Sequence, residues 1–190
     1  MNISELITAH ETAVRMGSFF GVLILMAVWE VLAPRRASTV SKIVRWGNNL
    51  GLVVFNSVLL RLVFPTAAVG VTIFASEHSW GLLNYVQLPS VAAVAISIVV
   101  MDFVIYVQHI LMHAIPALWR LHRVHHADLD YDFTTGVRFH PLEIIVSMLI
   151  KFSAILILGP PVIAVLMFEV ILNAMSMFNH GNVKLPAFLD

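Results

Sequence analysis

Long apolar runs alternate with short polar breaks along this chain. Residues 17–33 form a first run, interrupted only by Glu30 near its end, and residues 50–75 form a second that carries Arg61 and Pro65. Residues 90–108 form a third, with Asp102 as its one charge. Two more, 142–158 and 162–178, are joined by Gly159-Pro160-Pro161. About 17–25 apolar residues suffice for a helix to cross a bilayer. The pattern therefore predicts an all-α, polytopic membrane protein with about four to five transmembrane helices.

Details of each run refine the prediction. Pro65 either kinks the second run or divides it into a span and a shorter interfacial piece. Gly159-Pro160-Pro161 predicts a tight helical hairpin. Lys151 and Glu169 stand nine residues either side of Pro160, hence at similar depth in antiparallel helices. A charge in a membrane span needs a partner, so these two are expected to pair. Arg61 is either functional or, the favoured reading, reaching along its stem toward the headgroups. Trp80 and Tyr85, in residues 76–89, suit a membrane interface. Residues 1–16 begin acidic, unlike a signal peptide, and are read as a short retained segment.

Composition agrees with this pattern and removes several kinds of chemistry. The 190 residues are 59% hydrophobic and 12% charged, with mean hydropathy +0.90. Soluble domains carry about twice that share of charge. Net charge is zero, which provides no basic surface for nucleic acid. Cysteine is absent, so disulfides, iron–sulfur clusters and thiolate nucleophiles are excluded. Any bound metal must be held by nitrogen and oxygen.

Candidate chemistry is concentrated in HILMHAIPALWRLHRVHH, residues 109–126, which holds five of the nine histidines. His109 and His113 share one helical face; His122, His125 and His126, at i, i+3 and i+4, share another. Pro116 breaks the helix between them, so both faces can turn toward one centre. A lone histidine in an apolar segment is usually a hydrogen-bonded core residue. Five at these spacings point to a metal centre, and a single structural ion would use only about four ligands. Asp102, Tyr106, His109 and His113 continue one stripe along the helix. Asp102 is either a buried acid bonded to a hydroxyl or an acceptor that orients a ligand imidazole.

Asp128, Asp130 and Asp132 alternate like a calcium loop, but Phe133 and Phe139 stand where glycine and glutamate are required. Those acids are read as solvated, or as acceptors for ligand imidazoles. His140-Pro141-Leu142-Glu143 has a proline and an acid where a helix start favours both.

Topology brings the histidines together. With the basic loop at 34–45 in the cytoplasm, His109, His113, His122, His125, His126, His140 and His180 all fall on that side, with eight of the eleven Lys and Arg residues. His10 and His78 fall on the opposite side and are poor ligand candidates.

HILMH, LWRLHRVHH, RFHPLE and FNHGNVKLP resemble, in order and spacing, the histidine boxes of the fatty acid hydroxylase superfamily, also called the sterol desaturase family. The resemblance runs from WEVLAPRR at 29–36 to Pro186. It implies a multi-pass membrane enzyme with two iron ions, dioxygen as co-substrate and an external electron donor of cytochrome or ferredoxin type. It also implies a lipid or sterol substrate that is hydroxylated or desaturated. Carried onto this chain, the metal ligands would be His109, His113, His122, His125, His126, His140 and His180; Asp102, Asp128 and Asn179 are separately expected as their outer supports. The family carries a further HxxHH box beyond FNH. Residues 1–190 are accordingly expected to be one domain, incomplete at its C-terminus.

Other classes predict different features. A zinc-dependent membrane hydrolase would want H-E-x-x-H, and the residue after His109 is Ile110. Bis-histidine haem binding and a non-catalytic, metal-handling membrane protein are the remaining alternatives.

Overall fold

The computed structural model of the chain describes residues 9–86 and 88–186; the expectation for residues 1–16 falls partly outside them. Eight α-helices follow one another among these residues: α1 Glu11–Leu32, α2 Lys42–Val63, α3 Ala68–Glu77, α4 Leu82–Tyr85, α5 Ser90–Ala114, α6 Pro116–His126, α7 Pro141–Leu158 and α8 Val162–His180. A 3-10 turn, Thr135–Val137, precedes α7. Five segments are long and apolar enough to cross a membrane: α1, Lys42–Tyr85, α5, α7 and α8. The all-α, polytopic architecture agrees with the hydropathy pattern.

Proline and glycine place the breaks. The second apolar run divides at Pro65 into α2 and the shorter α3. Ile115, preceding Pro116, is extended (φ −97°, ψ 118°), which ends α5 and starts α6 with its proline in the first turn. Gly159 closes α7 in the left-handed region at φ 68°. It meets Gly81 (φ 98°) so closely that a Cβ on Gly81 would lie 2.2 Å from the Gly159 nitrogen. Only glycine permits that contact, which holds the α3–α4 segment against the hairpin.

Two apolar cores fill the bundle. Ala68, Met101, Ile155, Leu158, Val165 and Phe168 pack α3, α5, α7 and α8 together. Met26, Phe133, Val137, Met177 and Val183 pack α1 and α8 beneath the loop that follows α6. Large apolar side chains such as Leu62, Val91 and Val99 point outward, as expected where the solvent is lipid. The predicted hairpin pair forms, with Lys151 Nζ donating to Glu169 Oε1 at 2.9 Å. Arg15 of α1 joins it, 3.2 Å from Glu169 Oε2. Arg61 is exposed near the end of α2.

At the histidine-bearing end, the polar main chain is stitched across long sequence distances. Fully buried Glu30, at the end of α1, accepts the amides of Phe133 (2.8 Å) and Asn182 (2.7 Å) through one oxygen. Pro34 and Val183 form a β-bridge, and Lys184 donates its amide to the Ala33 carbonyl at 2.8 Å. These bonds fix the end of α8 over the loop after α6.

Candidate metal centre

The break at Ile115-Pro116 turns α6 back against α5. His109 and His113 from α5 thereby meet His122 and His126 from α6, with one ligand nitrogen of each within 4.8 Å of the others. That spacing could hold one ion. His122 is 1% exposed, whereas His109 and His113 lie open on the outer face of α5.

Hydrogen bonds decide which nitrogen faces the group. His122 Nδ1 is 2.6 Å from Glu143 Oε1, and both side chains are buried. A carboxylate accepts, so the Nδ1 proton stays with Glu143 and His122 Nε2 turns inward, 3.2 Å from His126 Nε2. His126 Nδ1 in turn lies 2.9 Å from the Tyr131 hydroxyl. Burial, then the neighbouring His122, holds the His126 imidazole below its ordinary pKa.

A second group adjoins the first. His125 and His180 face each other with Nε2 atoms 2.9 Å apart. His125 Nδ1 donates to the Arg138 carbonyl (3.1 Å) and His180 Nδ1 donates to the Ser176 carbonyl (2.7 Å). Carbonyls only accept, so both Nε2 atoms carry lone pairs. Burial, then the neighbouring His180, pushes the His125 pKa down to about 3, which disfavours a proton between them. Two opposed lone pairs at this separation call for a cation. The groups touch, with His122 and His125 ring centroids 5.3 Å apart.

A buried polar frame holds the Arg138 carbonyl in place. Arg45 grips Asp128 through two bonds of 2.8 and 3.0 Å and reaches Asp132 at 3.0 Å. Asn49 donates to Asp128 (3.0 Å) and accepts from Arg138 (3.2 Å); Thr135 also donates to Asp128, at 2.7 Å. Burial alone would raise the Asp128 pKa, but donation from Thr135, Arg45 and Asn49 outweighs it and holds the carboxyl below its usual value. Gly136 lets this frame approach α8, since a Cβ there would lie 2.3 Å from the Ser176 carbonyl oxygen.

The other expected residues take different places. His140 caps α7, its Nδ1 accepting the Leu142 amide at 3.1 Å, and it stands outside both histidine groups. Asp128 serves Arg45 and no hydrogen bond joins it to a described histidine. Asp130 accepts the Thr39 and Val40 amides at 2.7 and 2.8 Å. Asp102 is exposed on α5, and Asn179 is exposed beside His180, lining a surface cleft with Arg36 and Tyr131. His78 bonds the Phe74 carbonyl, away from the centre. Glu143, expected at a helix start, and Tyr131 are two supports that the sequence pattern does not assign; the His-Pro-x-Glu spacing is the available signal for the first.

The donor set suits a divalent first-row ion: six imidazoles in two adjoining groups, four of them with the second ring nitrogen already engaged. Glu143 Oε2 is buried without a hydrogen-bond partner, a further oxygen beside the first group. No curated protein and no solved structure matches the chain. The family described as fatty acid hydroxylase matches residues 94–190, from near the start of α5 through both histidine groups. The chain belongs to the fatty acid hydroxylase family.

Proposed function

We propose that this chain is a membrane-bound, iron- and dioxygen-dependent oxidoreductase of the hydroxylase or desaturase type, acting on a C–H bond of a fatty acyl or sterol substrate. The observation that carries the reading is the convergence of imidazole nitrogens in two adjoining groups within a membrane bundle of this family. His109, His113, His122 and His126 would hold one ion; His125 and His180 would contribute to a second. Residues 1–190 act as a single membrane-embedded domain. The centre lies at the cytoplasmic end, where an external donor of cytochrome or ferredoxin type can reach it.

Bound iron supplies the redox chemistry by which dioxygen and external electrons oxidise an unactivated C–H bond. The chain's own residues orient and shield. Glu143 keeps the His122 proton on Nδ1, and the Arg138 and Ser176 carbonyls do the same for His125 and His180. His122 and His125 are buried, which keeps water from that side of the centre. Val99, Phe103 and Ile110 lie exposed on α5 beside His109 and His113 and offer an apolar track for an alkyl chain.

A second reading is metal binding without turnover. It is favoured by the His125–His180 group, which presents only two nitrogens among the described residues, fewer than the roughly four that close a structural site. Reconstitution separates the two. Detergent-purified protein loaded with ferrous iron and given dioxygen, a reductant and a panel of fatty acids and sterols should consume oxygen and yield an oxidised lipid. Iron uptake without lipid product would favour the second reading.

A further inference from the structure

Tyr131 touches both histidine groups at once. Its hydroxyl lies 2.9 Å from His126 Nδ1, in the group of four, and its ring lies flat over His180 in the group of two, with centroids 5.7 Å apart and planes 9° from parallel. Its main chain is held from both sides. Asp130 is bonded to the Thr39 and Val40 amides, and Asp132 to Arg45, Trp46 and Thr134. The alternating acids thus present the residue between them to the centre.

Building on the metal-binding reading, we propose that Tyr131 is a positioning residue that sets the donor nitrogen of His126 through its hydroxyl and the ring plane of His180 through stacking. A phenol oxygen can accept the His126 Nδ1 proton, which leaves the Nε2 lone pair facing His122 Nε2 at 3.2 Å. Without that acceptor, a half-buried imidazole is free to carry its proton on Nε2, and the group of four loses a donor. The stacked ring restricts rotation of His180, whose Nε2 otherwise depends on the Ser176 carbonyl alone. One side chain therefore couples the geometry of the two groups. Tyr131 is 45% exposed in the cleft beside Arg36 and Asn179, so its role is to support ligands from outside and not to fill the core.

Two variants separate the two contacts. Tyr131→Phe keeps the ring and removes the hydroxyl; Tyr131→Leu removes both. Metal-free protein labelled with 15N-histidine should show one His126 tautomer with Nδ1 hydrogen-bonded. In Tyr131→Phe the His126 signals should move toward mixed tautomers while those of His180 stay in place, and in Tyr131→Leu both should move. Cobalt(II) titration should give about 10-fold weaker binding to the group of four in Tyr131→Phe, the lower end of what outer partners of ligand histidines contribute. Unchanged His126 signals and unchanged cobalt affinity in Tyr131→Phe would overturn the proposal, whatever the folding of Tyr131→Leu. If the unaltered chain takes up no cobalt, the metal reading fails, and the histidine spectra still decide the role of Tyr131.

Discussion

His125 and His180 point their Nε2 lone pairs at each other across 2.9 Å, 55 residues apart in sequence. With both Nδ1 protons committed to carbonyls, the pair is repulsive until a cation lies between or beside the two nitrogens. A divalent ion should therefore raise the thermal stability of the purified chain. Binding at about 100 times the dissociation constant contributes about 2.7 kcal/mol. The shift should shrink in His180→Asn. Melting curves in detergent, with and without ferrous or cobalt ion, check this, and equal shifts in both proteins would count against it.

Glu143 fixes the tautomer of His122 from a buried position, so Glu143→Gln should weaken metal binding by about 10- to 100-fold. Helix content should stay the same, because the amide fills the same volume at the start of α7. A titration in which the variant binds as tightly as the parent would remove Glu143 from the centre.

Glu169 balances two cations, Lys151 and Arg15, within the bundle. Removing the acid strands Lys151 and leaves Arg15 only the longer contact to Glu11 at 4.0 Å; removing Lys151 leaves Glu169 with Arg15. Glu169→Leu should cost about 3 to 5 kcal/mol, the range for breaking a buried pair from one side, and Lys151→Leu should cost less. Comparing the two variants by thermal or denaturant unfolding tests the asymmetry, and a larger loss for Lys151→Leu would contradict it.

Acid should destabilise the metal-free protein in two stages. His125 is held to about 3 by burial and by His180, against 6.5 for the free group. Above about 6.5 neither state binds a proton there; between 6.5 and 3 the unfolded chain takes one that the folded chain refuses, so stability falls with pH. Asp128 is held below 3.8, so its contribution is present above 3.8 and is lost as pH falls through its lower folded value. Melting temperature against pH should show both stages, and His125→Gln should reduce the first, to which His126, also held below its ordinary value, contributes as well.

Much of this architecture was legible in the order of residues, because a bilayer obliges a spanning segment to be a long apolar helix. The hairpin at Gly159-Pro160-Pro161, the break at Pro65 and the Lys151–Glu169 pair were read from local chemistry and depth. Arg15 joined that pair unforeseen, since the packing of α1 on α8 has no signature in either helix. The division of the histidines was also hidden. Whether α6 folds onto α5 depends on the turn at Ile115-Pro116, and His180 reaches His125 because Glu30, 152 residues from Asn182, anchors the end of α8. The acids at 128–132 had two expected roles, solvated or supporting imidazoles. Asp128 instead found Arg45, 83 residues away, a contact that spacing cannot reveal.

The six converging histidines should bind iron. Elemental analysis of detergent-purified protein, beside a His122→Ala/His126→Ala variant of equal helix content, measures it. Stoichiometric iron in the parent, lost from the group of four in the variant, is the predicted result. Iron no higher in the parent than in the variant would mean that these histidines do not bind it.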